Sequence, residues 1–173
     1  DKLLLPAKKN YMQYPLTHQE RYEAVNWELS QRQSKNEQHS GTIDTGCGFI
    51  MLDGATQAYE LLKIPELKEM IDRMIERFAQ IDLIRIQVQT HATLSALRGI
   101  IRFYEITQNP KYLEIAKKIF DLYKHEAWTE AYGNYNWFAN PRWTEPCAII
   151  DSFIAAVGLW KNTGDVKYLE DSH

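Results

Sequence analysis

The sequence predicts an all-α fold of helical hairpin repeats forming part of an (α/α)6 toroid. Three observations carry this expectation. Beyond position 41 the apolar residues recur at helical spacing, in segments separated by short breaks. A tight break followed by a similar helix start recurs as PELKEM, PKYLEI and VKYLED, the mark of a repeat architecture. The two helices of each hairpin also differ in character. The second is amphipathic, whereas the first is apolar on more than one face and rich in Gly, Ala and Ser, as a buried inner helix should be.

Taken in order, residues 1–16 contain two prolines and no periodicity and read as an extended arm. Thr17 and Glu20 form a capping box, and Tyr22, Val25 and Leu29 follow at helical spacing, so a helix is expected over 18–31. SQRQSKNEQHSG is a polar helix tail or linker. These elements make up an N-terminal region of residues 1–40, ahead of a hairpin domain over 41–173.

In the first hairpin, GTIDTGCG is a loop and residues 49–62 are helical, with Leu52, Ala55, Tyr59 and Leu62 in one row. Lys63 and Ile64 form the break, and Pro65 suits a first helical position. The helix from there to about 80 aligns Leu67, Met70, Ile71, Met74, Ile75 and Phe78 against a charged opposite face. The second hairpin has a connection over 82–91, a helix over 92–107 and a break at Gln108 and Asn109. Its outer helix, from Pro110, carries Leu113, Ala116, Ile119, Phe120 and Tyr123. In the third, Pro146 opens an inner helix and Asn162 to Asp165 turn the chain into about one turn of an outer helix.

The segment 126–147, EAWTEAYGNYNWFANPRWTEPC, breaks this regularity. It holds Trp128, Trp137 and Trp143 of the five tryptophans, together with Gly, Pro and Asn residues that exclude a regular period. A long loop rich in aromatics argues against disorder and for a functional wall. With the hairpins in register, the loops 41–48, 82–91 and 126–146 lie at one end of the ring. Helix N-termini point there too, which favours negative charge and anions.

The bulk composition excludes several classes. With 45% hydrophobic and 25% charged residues and a net charge of −3, this is the profile of an ordinary soluble globular domain. No basic face suggests nucleic acid, and no apolar run reaches the ~18 residues of a membrane span. The opening DKLLLPAKKNYMQYP lacks the apolar core and cleavage site of a signal peptide, although a start without Met is consistent with a removed leader or upstream domain. Two cysteines, Cys47 and Cys147, make no disulfide framework, so the compartment stays open between cytoplasm, periplasm and exterior.

Each candidate site residue has a chemical and a plain reading. Glu145 and Cys147, two apart at a helix start, can face one point and are both good zinc ligands. Equally, Glu145 suits a helix N-terminus and Cys147 a packed core position. Glu130, among tryptophans and tyrosines, becomes a general acid if partly buried, and is otherwise a solvated carboxylate. His91 can contact substrate, cap a helix or sit satisfied in the core. Trp137 and Trp143 can stack on a sugar or fill the loop. Asp44 is a further substrate contact or a turn residue, and Cys47 reads as packed.

Two stretches give these residues a context. THATLSALRGIIRFYEITQNPKYLEIA and WTEPCAIIDSFIAAVGLWKNTGDVKYLEDSH, with Glu130 lying 15 residues before Glu145, resemble the bacterial β-L-arabinofuranosidases of glycoside hydrolase family 127. The resemblance covers about residues 85–173 well and 41–84 only as hairpin pattern. It implies retaining hydrolysis in which a cysteine held by zinc attacks the anomeric carbon. In that scheme a glutamate protonates the leaving oxygen and then activates water. Carried over, Glu130 is the acid/base, Glu145 and Cys147 are Zn2+ ligands, and His91 contacts sugar hydroxyls. The family's nucleophile and remaining cysteine ligand lie further along its chain, and no cysteine follows Cys147 here. Pro146 also replaces a small residue within the family's Glu-x-Cys.

The expectation is therefore a fragment of a glycosidase with a carbohydrate partner and an incomplete zinc set, acting on plant or microbial glycans. A non-catalytic helical module binding carbohydrate or protein is the alternative from another class. Other toroid sugar enzymes, unsaturated uronyl hydrolases and epimerases, rank behind because they need an Asp pair or several histidines.

Overall fold

A computed structural model describes residues 49–171 apart from 86, 142 and 143. The expected arm, the 18–31 helix, the 41–48 loop with Asp44 and Cys47, and Trp143 lie outside the described residues. Among the described residues six helices follow one another: α1 (Met51–Leu62), α2 (Pro65–Phe78), α3 (Thr90–Thr107), α4 (Pro110–Glu126), α5 (Pro146–Thr163) and α6 (Lys167–Glu170). Among the described residues there are isolated β-bridges and no strand. The all-α hairpin class read from the sequence is the observed one.

The hairpins pair as their patterns require. The inner helices lie side by side, α3 between α1 and α5, while α2 packs on α1, α4 on α3 and α5, and α6 on α5. α2 buries the six residues of its predicted row, Leu67, Met70, Ile71, Met74, Ile75 and Phe78, each contributing roughly 1.5–3 kcal/mol relative to exposure. α6 is held by Tyr168, fully buried with its ring 5.8 Å from that of Phe120.

The three breaks share one conformation. Lys63, Gln108 and Gly164 are all left-handed, and each donates its N–H to the carbonyl four residues back, on Tyr59, Tyr104 and Trp160. Around the last two the match extends to side chains. Thr107 and Thr163 each donate a hydroxyl back into the preceding turn, at 2.7 Å. Asn109 and Asp165 each accept the backbone N–H two residues on, at 3.1 Å, Asn109 as the N-cap of α4 and Asp165 just ahead of α6.

The inner helices meet the expectation of burial unevenly. α3 buries residues on nearly every side, and at Gly99 an added Cβ would lie 2.7 Å from the carbonyl carbon and oxygen of Leu52. Glycine is required at this crossing because backbone lies directly against it. Gly54, one of the small residues of the first inner helix, has nothing within 4 Å of its Cβ position among the described residues. α5 is buried on one side only. Ile150, Phe153 and Ile154 are 61%, 50% and 41% exposed, because no described element covers their face.

Boundaries differ slightly from the sequence reading. α1 begins at Met51, after a turn at 49–50, and α2 ends at Phe78. α3 begins at Thr90, two residues earlier than expected, because the preceding chain is pinned there: Thr90 N–H donates to Asn136 O at 2.9 Å and its hydroxyl to Tyr135 O at 2.6 Å. His91 thus lies inside the first helical turn instead of before it.

Candidate functional site at the inner-helix N-termini

The helix breaks set a register that aligns the starts of α3 and α5. Gln89 and His91 stand 19 and 17 positions before Gln108, and Glu145 and Cys147 stand 19 and 17 before Gly164. Equivalent positions on neighbouring inner helices therefore face the same end of the molecule. Gln89 Nε2 donates to Glu145 Oε2 at 3.2 Å, joining the outer pair. Donor atoms of His91, Glu145 and Cys147 all lie within 4.8 Å of one another.

Glu145 occupies the N-cap position of α5, but its side chain makes no capping hydrogen bond. Cys147 is exposed and free, contrary to the packed reading. His91 is neither a cap nor a core residue. Its ring is 27% exposed, and Nδ1 lies 2.8 Å from Oδ2 of Asp151.

Beneath the trio runs a chain of charges that sequence reasoning missed. Asp151, 3% exposed, also accepts from Ser95 Oγ at 2.8 Å on Oδ2 and from Arg98 at 2.5 Å on Oδ1. Arg98 reaches on to Asp53 Oδ2 at 3.2 Å, and Arg102 donates to Asp53 Oδ1 at 2.6 Å. The path from His91 through Asp151, Arg98 and Asp53 to Arg102 crosses α5, α3 and α1. A buried carboxylate persists when it is paired and hydrogen-bonded, as Asp151 is on both oxygens, while Nε of Arg98 is left without a hydrogen-bond partner among the described residues. A signal was available: Asp151 is the one acidic or basic residue in CAIIDSFIAAVGLW, and Arg98 sits amid TLSALRGII.

The aromatic segment closes over the same end. Phe138 N–H donates to Val88 O at 3.1 Å, and Tyr135 N–H donates to Ala127 O at 2.7 Å, tying the loop to the approach of α3 and the end of α4. Trp128 fills the loop, stacked on Tyr123 at 6.1 Å, while Trp137 is partly exposed. Glu130 departs from expectation. It is exposed near the tip of a turn closed by Thr129 N–H donating to Gly133 O at 3.0 Å, so the partial burial invoked for it is absent. It is not one of the His91, Glu145 and Cys147 trio.

No protein-family model and no curated protein matches the chain. Solved structures do. The GH76A alpha-1,6-mannanase from Salegentibacter sp. HEL1_6 superposes with a TM-score of 0.64 at 20% identity, over 84% of this chain and 49% of that one. The chain has the α/α-hairpin fold of that mannanase. Inactive variants of the same enzyme match as well. The complex with alpha-1,6-mannotetrose has a TM-score of 0.60 at 18% identity, covering 78% of this chain and 40% of that one. The complex with alpha-1,6-mannotriose has 0.61 at 21%, covering 80% and 47%. The chain thus spans about half the length, or less, of these structures. None of the three is an arabinofuranosidase. In both variants two adjacent aspartates are replaced, and no two aspartates are adjacent in this sequence. No described helix is long and apolar enough to cross a membrane.

Proposed function

We propose that this chain is part of a glycoside hydrolase of the retaining β-L-arabinofuranosidase type, acting on plant or microbial glycans. The observation that supports it best is the meeting of Glu145 and Cys147 with His91 at the loop end of a toroid-type fold. A carboxylate, a thiol and an imidazole form the donor set that a zinc-type ion accepts, so these residues fit the group the resemblance implies. Such an ion, when bound, keeps a cysteine sulfur ionised at neutral pH. Glu145 and Cys147 would hold it, with Glu145 steadied by Gln89. Glu130 would donate the proton to the leaving oxygen as the family's cysteine nucleophile, which has no counterpart in this sequence, bonds to the anomeric carbon, and would then take a proton from the water that displaces that cysteine. Trp137 and Trp143 offer apolar faces to the sugar, and Asp44 contacts its hydroxyls.

The test is turnover of an aryl β-L-arabinofuranoside by the longer enzyme of which this chain is proposed to be a part, with Glu130→Gln beside it. The reading expects turnover in that enzyme, and in the variant a loss of roughly 10²–10⁴-fold together with loss of the basic limb of the pH profile, which reports deprotonation of the acid. Unchanged turnover in the variant, with the basic limb still present, removes Glu130 from the mechanism.

A second reading draws on the mannooligosaccharide complexes of the structural neighbours: a module that binds α-1,6-linked mannosides without hydrolysing them. Calorimetric titration with mannotriose separates the two. Binding that disappears in Trp137→Ala, with no turnover of either glycoside and no effect of a chelator, favours this second reading.

A further inference from the structure

We propose that His91 is itself a metal ligand, through Nε2, and that Asp151 is the residue that holds it in that role. This deepens the metal reading of Glu145 and Cys147 and rests on it, but assigns His91 a different task from sugar contact. The argument begins at Asp151. Its carboxylate accepts from the Arg98 guanidinium on one oxygen and from the Ser95 hydroxyl on the other, and a carboxylate so engaged offers only acceptor sites to a third partner. The ring nitrogen 2.8 Å away, Nδ1 of His91, must therefore carry the proton. In a neutral imidazole that leaves the lone pair on Nε2. Metal-binding histidines characteristically donate their other N–H to a carboxylate, which sets the tautomer, fixes the ring and raises the basicity of the free nitrogen.

The backbone register supplies an independent reason. His91 and Cys147 occupy equivalent positions of adjacent inner helices, each 17 residues ahead of a left-handed break. The repeat that aligns the helices therefore brings these two side chains to the same level, where Glu145 also lies. Three donors of mixed hardness, with one face open to solvent, suit a borderline divalent ion such as Zn2+ or Co2+ better than Ca2+ or Mg2+, which take oxygen ligands. Arg98 and Ser95 are positioning residues at one further remove, since they hold Asp151 and not the ion.

The experiment uses the full chain with Zn2+ and Co2+ as probes. Zinc affinity is measured by competition with a chromogenic chelator, and the histidine ring nitrogens are followed by ¹⁵N NMR before and after addition of Zn2+. The expected result is a Zn2+-dependent shift of Nε2 of His91, with Nδ1 still protonated, and a thiolate-to-metal absorption band with Co2+ that Cys147→Ser abolishes. Asp151→Asn, which keeps the shape of the side chain, should weaken zinc binding roughly 10–100-fold. Zinc bound by the parent with the His91 ring unmoved overturns the proposal, while leaving Glu145 and Cys147 as a metal pair. No zinc bound by the parent overturns both. Arabinofuranoside turnover by the longer enzyme is scored separately, so failure of the metal site and failure of the glycosidase reading are distinguishable.

Discussion

Asp151 shows how one side chain can serve stability and site geometry together. It sits on the buried side of α5 and satisfies groups on α3 at three atoms. Asp151→Ala leaves Arg98 and Ser95 short of a buried acceptor and should cost about 3 kcal/mol in a urea melt, since removing one partner strands the other. Asp151→Asn should lose much less. Tyr112 makes a second prediction of this scale. Its hydroxyl donates to Asp72, and burial, then that hydrogen bond and the nearby carboxylate charges, raise its ionisation well above the ordinary 10.0. The unfolded chain therefore gives up the Tyr112 proton at lower pH than the folded one does. This contribution is full below about pH 10 and is lost as pH rises above it. Tyr112→Phe should cost about 1 kcal/mol at neutral pH and flatten the alkaline loss of stability, as followed by denaturant melts across the alkaline range.

Among the elements, α3 is the helix on which the others depend. Gly99 lets it approach α1 until backbone faces backbone, with Leu52 at 2.7 Å from the Cβ position. An alanine there forces the two helices apart. Gly99→Ala should lower stability by about 1–3 kcal/mol despite alanine's better helix propensity, read as a fall in melting temperature. Gly54→Ala, with open space at its Cβ, should instead be neutral or stabilising, which makes it the matched control. The same closeness aligns Arg98 and Arg102 of α3 with Asp53 of α1, so the crossing and the charge chain are one feature.

For the whole molecule, protection should follow the packing order. α3 touches α1, α4 and α5, whereas α6 is a single turn resting on α5 and anchored by Tyr168. Amide exchange followed by mass spectrometry should be slowest in α3 and fastest in α6 and the 129–133 turn; equal protection in α3 and α6 would contradict this packing. The uncovered apolar row of α5, Ile150, Phe153 and Ile154, lies on an inner helix of a fold whose solved neighbours are about twice as long.

The sequence by itself determined the hairpins and their polarity. Apolar spacing along α2 and α4 is a local property of each helix, and the breaks announced themselves through Pro65, Pro110 and Gly164. It also singled out Glu145 and Cys147 as neighbours, because two residues at a helix start stay close whatever the rest does. Left to the tertiary structure was everything that depends on which helix lies beside which. His91 and Asp151 are 60 positions apart and meet only because α3 and α5 are adjacent. The charge chain through Arg98 and Asp53, the close crossing at Gly99, and the exposure of Glu130 and Cys147 are likewise relations between elements. No periodicity within a single helix can encode them.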